Sequence, residues 1–245
     1  MMFVARELSW PKVKGLAERG AVALLPVGST EAHGPHLPLC VDVVIAEEVC
    51  RRLSTRLEVD TVMFPAVTYS LTDFAAPFSG TVSLPADTAR LNLTGVLRGI
   101  AHGGFKTLAV VNHHLEPAHF RVVHEAAKLA AHGGVRVAVP DHRREPTGPL
   151  LGEEFMHGGS HAGRYETSLM LAVAPGLVDE TARAGLPELS VDLPAHIKAG
   201  AKSFLDCGGA DAYFGDPAAA TAEEGHRLFD ILADASAAAI RGLGT

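Results

Sequence analysis

Three short stretches of this chain gather imidazoles and carboxylates at spacings that suit metal chemistry. The first runs Gly28-Ser29-Thr30-Glu31-Ala32-His33-Gly34-Pro35-His36-Leu37-Pro38-Leu39-Cys40-Val41-Asp42. If residues 29–33 are extended, Glu31 and His33 stand two positions apart and project to the same side. Asp42 follows at the start of a predicted helix, and the loop can fold it back onto them. An imidazole with two carboxylates is a suitable donor set for Zn, Mn or Fe. Asp42 equally meets the preference for Asp at a helix N-cap, and both readings stand on the sequence alone. Cys40, beside the loop, is either a soft extra ligand or a small core residue.

The stretch Asn112-His113-His114-Leu115-Glu116-Pro117 repeats the device, with His114 and Glu116 two positions apart. Glu116 also suits the N-terminal end of a following helix, where the dipole favours an acid. In Gly158-Gly159-Ser160-His161-Ala162-Gly163-Arg164-Tyr165-Glu166, glycines around His161 permit close approach of backbone to a ligand. Glu166 falls in the first turn of a predicted helix, again a dipole-favoured place. An ordinary loop histidine is the plainer reading of His161. Thirteen histidines are many for 245 residues, and His33, His36, His113, His114, His119, His157 and His161 crowd into these stretches.

Such residues need elements to hold them, and helix and strand signals alternate along the chain. Ser9 and Pro11 open a first helix that Gly20 stops. The apolar run 21–27 reads as a buried strand ending at Gly28, directly before the first stretch. Val41, Ile45, Val49 and Leu53 recur every four residues, as on a helix with one buried face. A second strand is expected over 61–67, then a helix from Asp87 carrying Leu91, Val96, Leu97 and Ile100. A third strand, 106–112, leads into the second stretch. Pro117 then begins a helix with Phe120, Val123, Ala127 and Ala130 inward, and a fourth strand covers 135–139. Arg164 to Ala174 reads as a helix with Leu169 and Met170 buried. Thr221-Ala222-Glu223-Glu224 is a capping-box pattern opening a C-terminal amphipathic helix through Leu228, Ile231 and Leu232 to Ile240.

Strands separated by helices imply βαβ units and a largely parallel sheet, with ligands beyond the strands' carboxyl ends. The Gly- and Pro-rich segments 68–86, 141–163 and 184–216 are long for loops in a compact domain. The first two are expected to shape a substrate pocket. No linker divides the chain, so residues 1–245 read as one domain.

Composition narrows the partners. Hydrophobic residues make up 47% and charged residues 20%, which suits a soluble enzyme with a sizeable core. A net charge of −7, with no Lys/Arg run, argues against nucleic acid or an anionic membrane as partner. No stretch approaches the roughly 18 apolar residues of a membrane helix. The charged N-terminal segment does not read as a signal peptide. Three scattered cysteines, Cys40, Cys50 and Cys207, without a CxxC pair, fit a reducing cytoplasm. The pairs Gly103-Gly104 and Gly133-Gly134 lack the GxGxxG frame of a dinucleotide binder.

The segments GSTEAHGPHLPLCVD, NHHLE and HAGRYETSLML resemble the three signature regions of the creatininase (creatinine amidohydrolase) family, in register over residues 20–175. That resemblance implies a three-layer α/β/α fold with a largely parallel central sheet. It implies Glu31, His33, Asp42, His114 and Glu166 as ligands of two divalent metal ions per chain (Zn, Mn or Fe), with Asp42 bridging. Glu116 matches the acidic position that creatininase has after its metal histidine, where many relatives, formamide hydrolases among them, carry Gly. His161 matches the histidine expected to contact substrate and move protons. Ser79, Gly80 and Thr81 match a substrate-side loop, and a homo-hexamer is the implied assembly.

One departure bears on substrate. Creatininase closes tryptophans over its substrate, whereas the lone Trp10 here lies outside these motifs. The expected activity is therefore hydrolysis of a non-peptide C–N bond in a small amide, cyclic amide or formamide. Glu31, Asp42, Glu166 and a dimetal-bound hydroxide would balance two divalent ions, so that hydroxide persists at neutral pH. Glu116 would carry the proton to the leaving nitrogen. His161 would stabilise the oxyanion or act as the final acid. Creatinine hydrolysis proper, other metal chemistry such as decarboxylation, and a non-catalytic metal-binding accessory role are the alternatives.

Overall fold

Parallel strands cannot be joined by tight turns, so each pair needs a crossover, and the helical stretches between the apolar runs supply it. The computed structural model describes residues 1–243. Its strands are β1 (Met2–Val4), β2 (Val22–Val27), β3 (Thr61–Met63), β4 (Thr107–Asn112) and β5 (Arg136–Ala138). They form one parallel sheet in the order β1-β3-β2-β4-β5. The crossovers are α1 (Trp10–Glu18), α2 (Val41–Ser54), α3 (Ala86–His102) and α4 (Pro117–Ala130). After the sheet come α5 (Glu153–His157), α6 (Arg164–Val173), α7 (Glu180–Ala184), α8 (Leu193–Lys198) and α9 (Ala222–Arg241).

Successive strand residues point to opposite faces, and two cores result. Ala23, Leu25 and Val27 of β2, with Leu108 and Val110 of β4, pack on α1, α3 and α4 through Leu16, Leu97 and Val123. Val22 and Leu24, with Ala109 and Val111, pack on α2, α6 and α9 through Ile45, Leu53, Leu169 and Leu228. The sheet is thus sandwiched between two helical layers. The expected capping box is realised in part, with Thr221 accepting from the Glu224 N–H at 3.2 Å. Among the described residues, no helix is long and apolar enough to cross a membrane.

Three differences from the sequence pattern have local causes. β1 is only three residues long, too short to show a period, yet it completes the sheet edge beside β3. β3 stops at Met63 rather than running through 61–67, and the chain rejoins β2 only through the bridge Val27–Val67. Pro26, which has no N–H to give a ladder, sits in β2 just past the point where β3 ends opposite Leu24. On α3, Leu97 and Ile100 are buried, but Leu91 faces outward with 64% exposure.

The long segments are not bare loops. Residues 141–163 hold a 3₁₀ turn at Gly148–Leu151 and α5, and residues 184–216 hold α8 and a 3₁₀ turn at Leu205–Cys207. The packing yields a contrast that can be measured. Leu169→Ala should cost about 2–5 kcal/mol, because Leu169 is fully buried between α6 and its neighbours. Leu91→Ala should change stability by less than about 0.5 kcal/mol. Urea denaturation of both variants tests this, and equal losses would contradict the packing described.

Candidate metal centre and substrate cavity

The site forms where β2 and β4 release the chain. Gly28, directly after β2, faces the first turn of α2 so closely that a Cβ there would lie 2.7 Å from Asp42 Cβ and 2.8 Å from the Val43 nitrogen. Only glycine permits that approach, and it delivers Asp42 to the strand end. Asp42 is not the cap of α2. Cys40 holds that position, without a side-chain bond, and Asp42 lies in the first turn. Its Oδ2 accepts from the Ser29 hydroxyl at 2.8 Å and the Ser29 N–H at 3.2 Å.

His33 and His114 are oriented the same way. His33 Nδ1 lies 3.1 Å from the Glu31 carbonyl, and His114 Nε2 lies 2.9 Å from the Leu71 carbonyl. A carbonyl only accepts, so these nitrogens carry the hydrogen, and the opposite nitrogens face the carboxylates. His33 Nε2 stands 3.4 Å from Asp42, 3.5 Å from Glu166 and 3.8 Å from Glu31, with no hydrogen-bond partner although fully buried. His114 Nδ1 is 3.1 Å from Glu31 Oε1 and 3.2 Å from Asp42 Oδ2. An imidazole nitrogen against carboxylate oxygens needs a proton or a metal cation between them. A ring whose other nitrogen donates to a backbone carbonyl is the usual arrangement of a metal-bound histidine.

The donors sort into groups whose atoms lie within 4.8 Å of one another: Glu31-Asp42-His114, His33-Asp42-Glu166 and Glu31-His33-His161. Asp42 belongs to the first two. Each carboxylate is anchored as well. Thr72 Oγ1 donates to Glu31. The Ala162 N–H donates to Glu166 at 2.7 Å, from a left-handed conformation with φ 52° that is uncommon outside glycine. A relay behind β4 steadies His114: Ser70 donates to His119 at 2.6 Å, His119 to Asn112 at 2.8 Å, and Asn112 to the His114 carbonyl at 2.8 Å.

Electrostatics follow from this crowding. Burial opposes a charge on His33, but Glu166, Asp42 and Glu31 outweigh it and raise the ring to about 10. Against the same cost, Glu31 and Asp42 hold His114 well above its ordinary value. Burial pushes Glu166 up to about 8, and it would push Asp42 up too, but His114 and His33 hold Asp42 well below the usual range.

Glu116 and His161 border this group. Glu116 caps no helix N–H with its side chain. Its Oε2 accepts from the Phe74 N–H at 3.3 Å, lies 4.0 Å from His114 Nε2, and burial raises the group to about 7. His161 donates through Nε2 to the Ala32 carbonyl at 3.0 Å, leaving Nδ1 4.0 Å from Glu31. Its ring lies between those of His33 and Phe204, at 4.4 and 4.1 Å, and burial with His33 nearby holds it neutral.

Glu31, Asp42, His114, Glu116, His161 and Glu166 all line one cavity of about 430 Å³. His33 is buried just beneath. Ser79, Gly80 and Thr81 do not line it. They form a turn in which Thr81 Oγ1 accepts from the Ala32 N–H at 3.0 Å, so they support the ligand loop from behind. Segments 68–86 and 141–163 do contribute wall, through Phe74 and through Arg143, Phe155 and Met156. Segment 184–216 adds Leu193, Ile197, Lys198 and Phe204. Leu193, Pro194, Ile197 and Lys198 meet the cavity as one side of α8, a helix of six residues that is too short to show a repeat in the sequence.

A parallel three-layer α/β fold with a buried His/Asp/Glu centre at the strand ends defines the class. Residues 6–240 match the creatininase family, described as creatinine amidohydrolase, and the chain belongs to that family. A mycofactocin precursor peptide peptidase of Mycobacterium tuberculosis (strain ATCC 25618 / H37Rv) is 33% identical over 222 residues, covering 86% of this chain and 81% of that protein. Creatinine amidohydrolase of Pseudomonas putida is 30% identical over 190 residues, covering 71% and 72%. A solved structure named Creatininase Mn matches with a TM-score of 0.77 at 26% identity, over 99% of this chain and 98% of that one.

The raised values give a signed pH dependence. His33, raised from 6.5 to about 10, contributes stability fully present below 6.5 and lost towards about 10. Glu166, raised from 4.5 to about 8, loses its contribution over that lower span. Chelator-treated protein should therefore melt at falling temperature from about pH 7 to about pH 9. Added zinc or manganese should flatten that slope, because bound ions replace the protons. Scanning calorimetry with and without ions checks this, and a Tm rising with pH in chelator would contradict it.

Proposed function

We propose that this chain is a metal-dependent amidohydrolase that cleaves an amide C–N bond in a small molecule or short peptide. The observation that carries the proposal is the pair of donor sets sharing Asp42 on the floor of the cavity. Glu31, Asp42 and His114 would hold one divalent ion, and His33, Asp42 and Glu166 the other, with Zn, Mn and Fe all suited to these N and O donors. The partnerless nitrogen of His33 supports that assignment. When bound, such ions acidify water and polarise a carbonyl.

The chain's own groups handle protons and shape. Glu116, raised to about 7, exchanges protons near neutral pH, as a general acid–base group should. It takes a proton from the attacking water and passes it to the leaving nitrogen. His161 has Nε2 committed to the Ala32 carbonyl, so Nδ1 is an acceptor. It orients a substrate N–H or receives a proton, and the expectation that it donates to the oxyanion is dropped. Phe74, Phe155 and Phe204 keep bulk water from the floor. Ser79, Gly80 and Thr81 have a supporting role.

The expectation of non-peptide bonds alone is dropped. Relatives at 30–33% identity are named precursor peptide peptidases, alongside a creatinine amidohydrolase, and peptide bonds belong in the substrate range.

Glu116→Gln should lower kcat by about 10²–10⁴-fold while leaving the metal content intact. Loss of metal in that variant would make Glu116 a ligand instead. His33→Ala and His114→Ala should each reduce the content below the roughly two ions per chain expected of a shared-carboxylate centre. Elemental analysis and assays on cyclic amides, formamides and short peptides in ¹⁸O-water decide the matter. Hydrolysis must place label in a new carboxylate. A fully loaded protein inert across that panel would favour a binding role over catalysis.

A further inference from the structure

Charge on the cavity wall is sorted by sign. The carboxylates Glu31, Asp42, Glu116 and Glu166 belong to the floor, and the lysine and arginine among the lining residues are Lys198 and Arg143. Both come from segments outside the sheet, Arg143 from residues 141–163 and Lys198 from the end of α8.

Arg143 is held in place before any ligand arrives. Its Nε and Nη2 donate to the two oxygens of Asp141, each at 2.9 Å, and its guanidinium carbon lies 3.2 Å from the centre of the Phe120 ring. Nη1 makes no hydrogen bond to any described residue. A planar fork fixed on two sides with a nitrogen left over suits an oxyanion, and little side-chain entropy remains to be lost. Arg143 and Pro117 also line an outer groove, so this side chain stands between the cavity and that groove. Lys198 is exposed and pairs with no carboxylate among the described residues.

Between floor and rim the wall is apolar, with Phe74, Phe155, Met156, Ile197 and Phe204. A volume of about 430 Å³ leaves room for much more than one amide group. We infer that the cavity takes an amide with an apolar body and a carboxylate at the end remote from the scissile bond, with Arg143 as the specificity residue that reads the carboxylate and Lys198 assisting at the rim. This names the substrate class of the site and rests on the hydrolase reading above.

Matched probes test it: 4-(2-formamidoethyl)benzoic acid and 4-(2-formamidoethyl)benzamide, which carry the ring between the formamide and the far end and differ by one charge. Calorimetric titration into metal-loaded protein carrying Glu116→Gln reads binding with turnover slowed, and KM compares the two probes in the unaltered protein. The acid should bind about tenfold or more tightly than the amide, the worth of a charge-assisted hydrogen bond. Arg143→Met should remove most of that preference and Lys198→Met a smaller part, with metal content and melting temperature unchanged. Should Arg143→Met unsettle the loop through Asp141, Arg143→Lys should keep a reduced preference. Equal binding of acid and amide to the wild type overturns the inference. So does a preference that survives in the Arg143→Met/Lys198→Met double variant, since the floor would then be binding the carboxylate. A probe bound with the stated preference yet never cleaved counts against the hydrolase reading alone.

Discussion

The contact between Gly28 and the first turn of α2 governs this molecule. It sets one carboxylate, Asp42, within reach of both His33 and His114, which arrive from the ends of β2 and β4. Two donor sets exist because they share that group. Ser29 binds the same carboxylate through its backbone and its hydroxyl, so the chain's exit from the strand and the helix's entry are locked to one another. A side chain at position 28 would push α2 outward and separate both sets together. The sheet supplies rigidity for this, since β2 is buried along its whole length and paired on both sides.

The arrangement is costly unless cations occupy it. Three carboxylates and two imidazoles lie almost wholly out of water, and the effective penalty for burying an ion is several kcal/mol. Without ions the histidines must keep protons to balance the acids, which is why both are raised, whereas burial outweighs the fewer or more distant carboxylates around His36, His113 and His142 and lowers them. One neighbourhood thus holds histidines driven in opposite directions. What separates them is how many carboxylates stand close, three around His33 and two within 3.2 Å of His114 against one near His113, and not burial. A group of this kind is a functional-site signal with a physical cause.

Much of the centre was legible in the sequence because its geometry is local. Glu31 and His33, or His114 and Glu116, need only an extended stretch after a strand to share a side, and strand, motif and helix follow one another in the chain. Asp42 could not be settled that way. Cap and ligand look alike in sequence, and only the approach of α2 to β2 shows that Asp42 lies in the first turn and is not the cap. Met2–Val4 was missed as a strand because three residues carry no period. Ser79, Gly80 and Thr81, which the resemblance implies as substrate contacts, lie off the cavity wall, and Thr81 braces Ala32. Arg143, Lys198 and Phe204 reach the cavity from segments without periodicity, so their convergence exists only in three dimensions.

Floor and wall therefore obey different constraints. The floor hangs on strand ends and on one glycine, and it tolerates little change. The wall is built from segments 68–86, 141–163 and 184–216, which lie outside the sheet and carry none of the strand-end donors. Phe74 joins the two. It lines the wall while its N–H donates to Glu116, and that bond draws the carboxyl down against the burial that raises it to about 7. Remodelling segment 68–86 for another substrate would alter the hydration of Glu116 and hence its proton affinity. Substrate choice and proton transfer are in this way coupled through one backbone amide, and the wall cannot drift freely past the floor it covers.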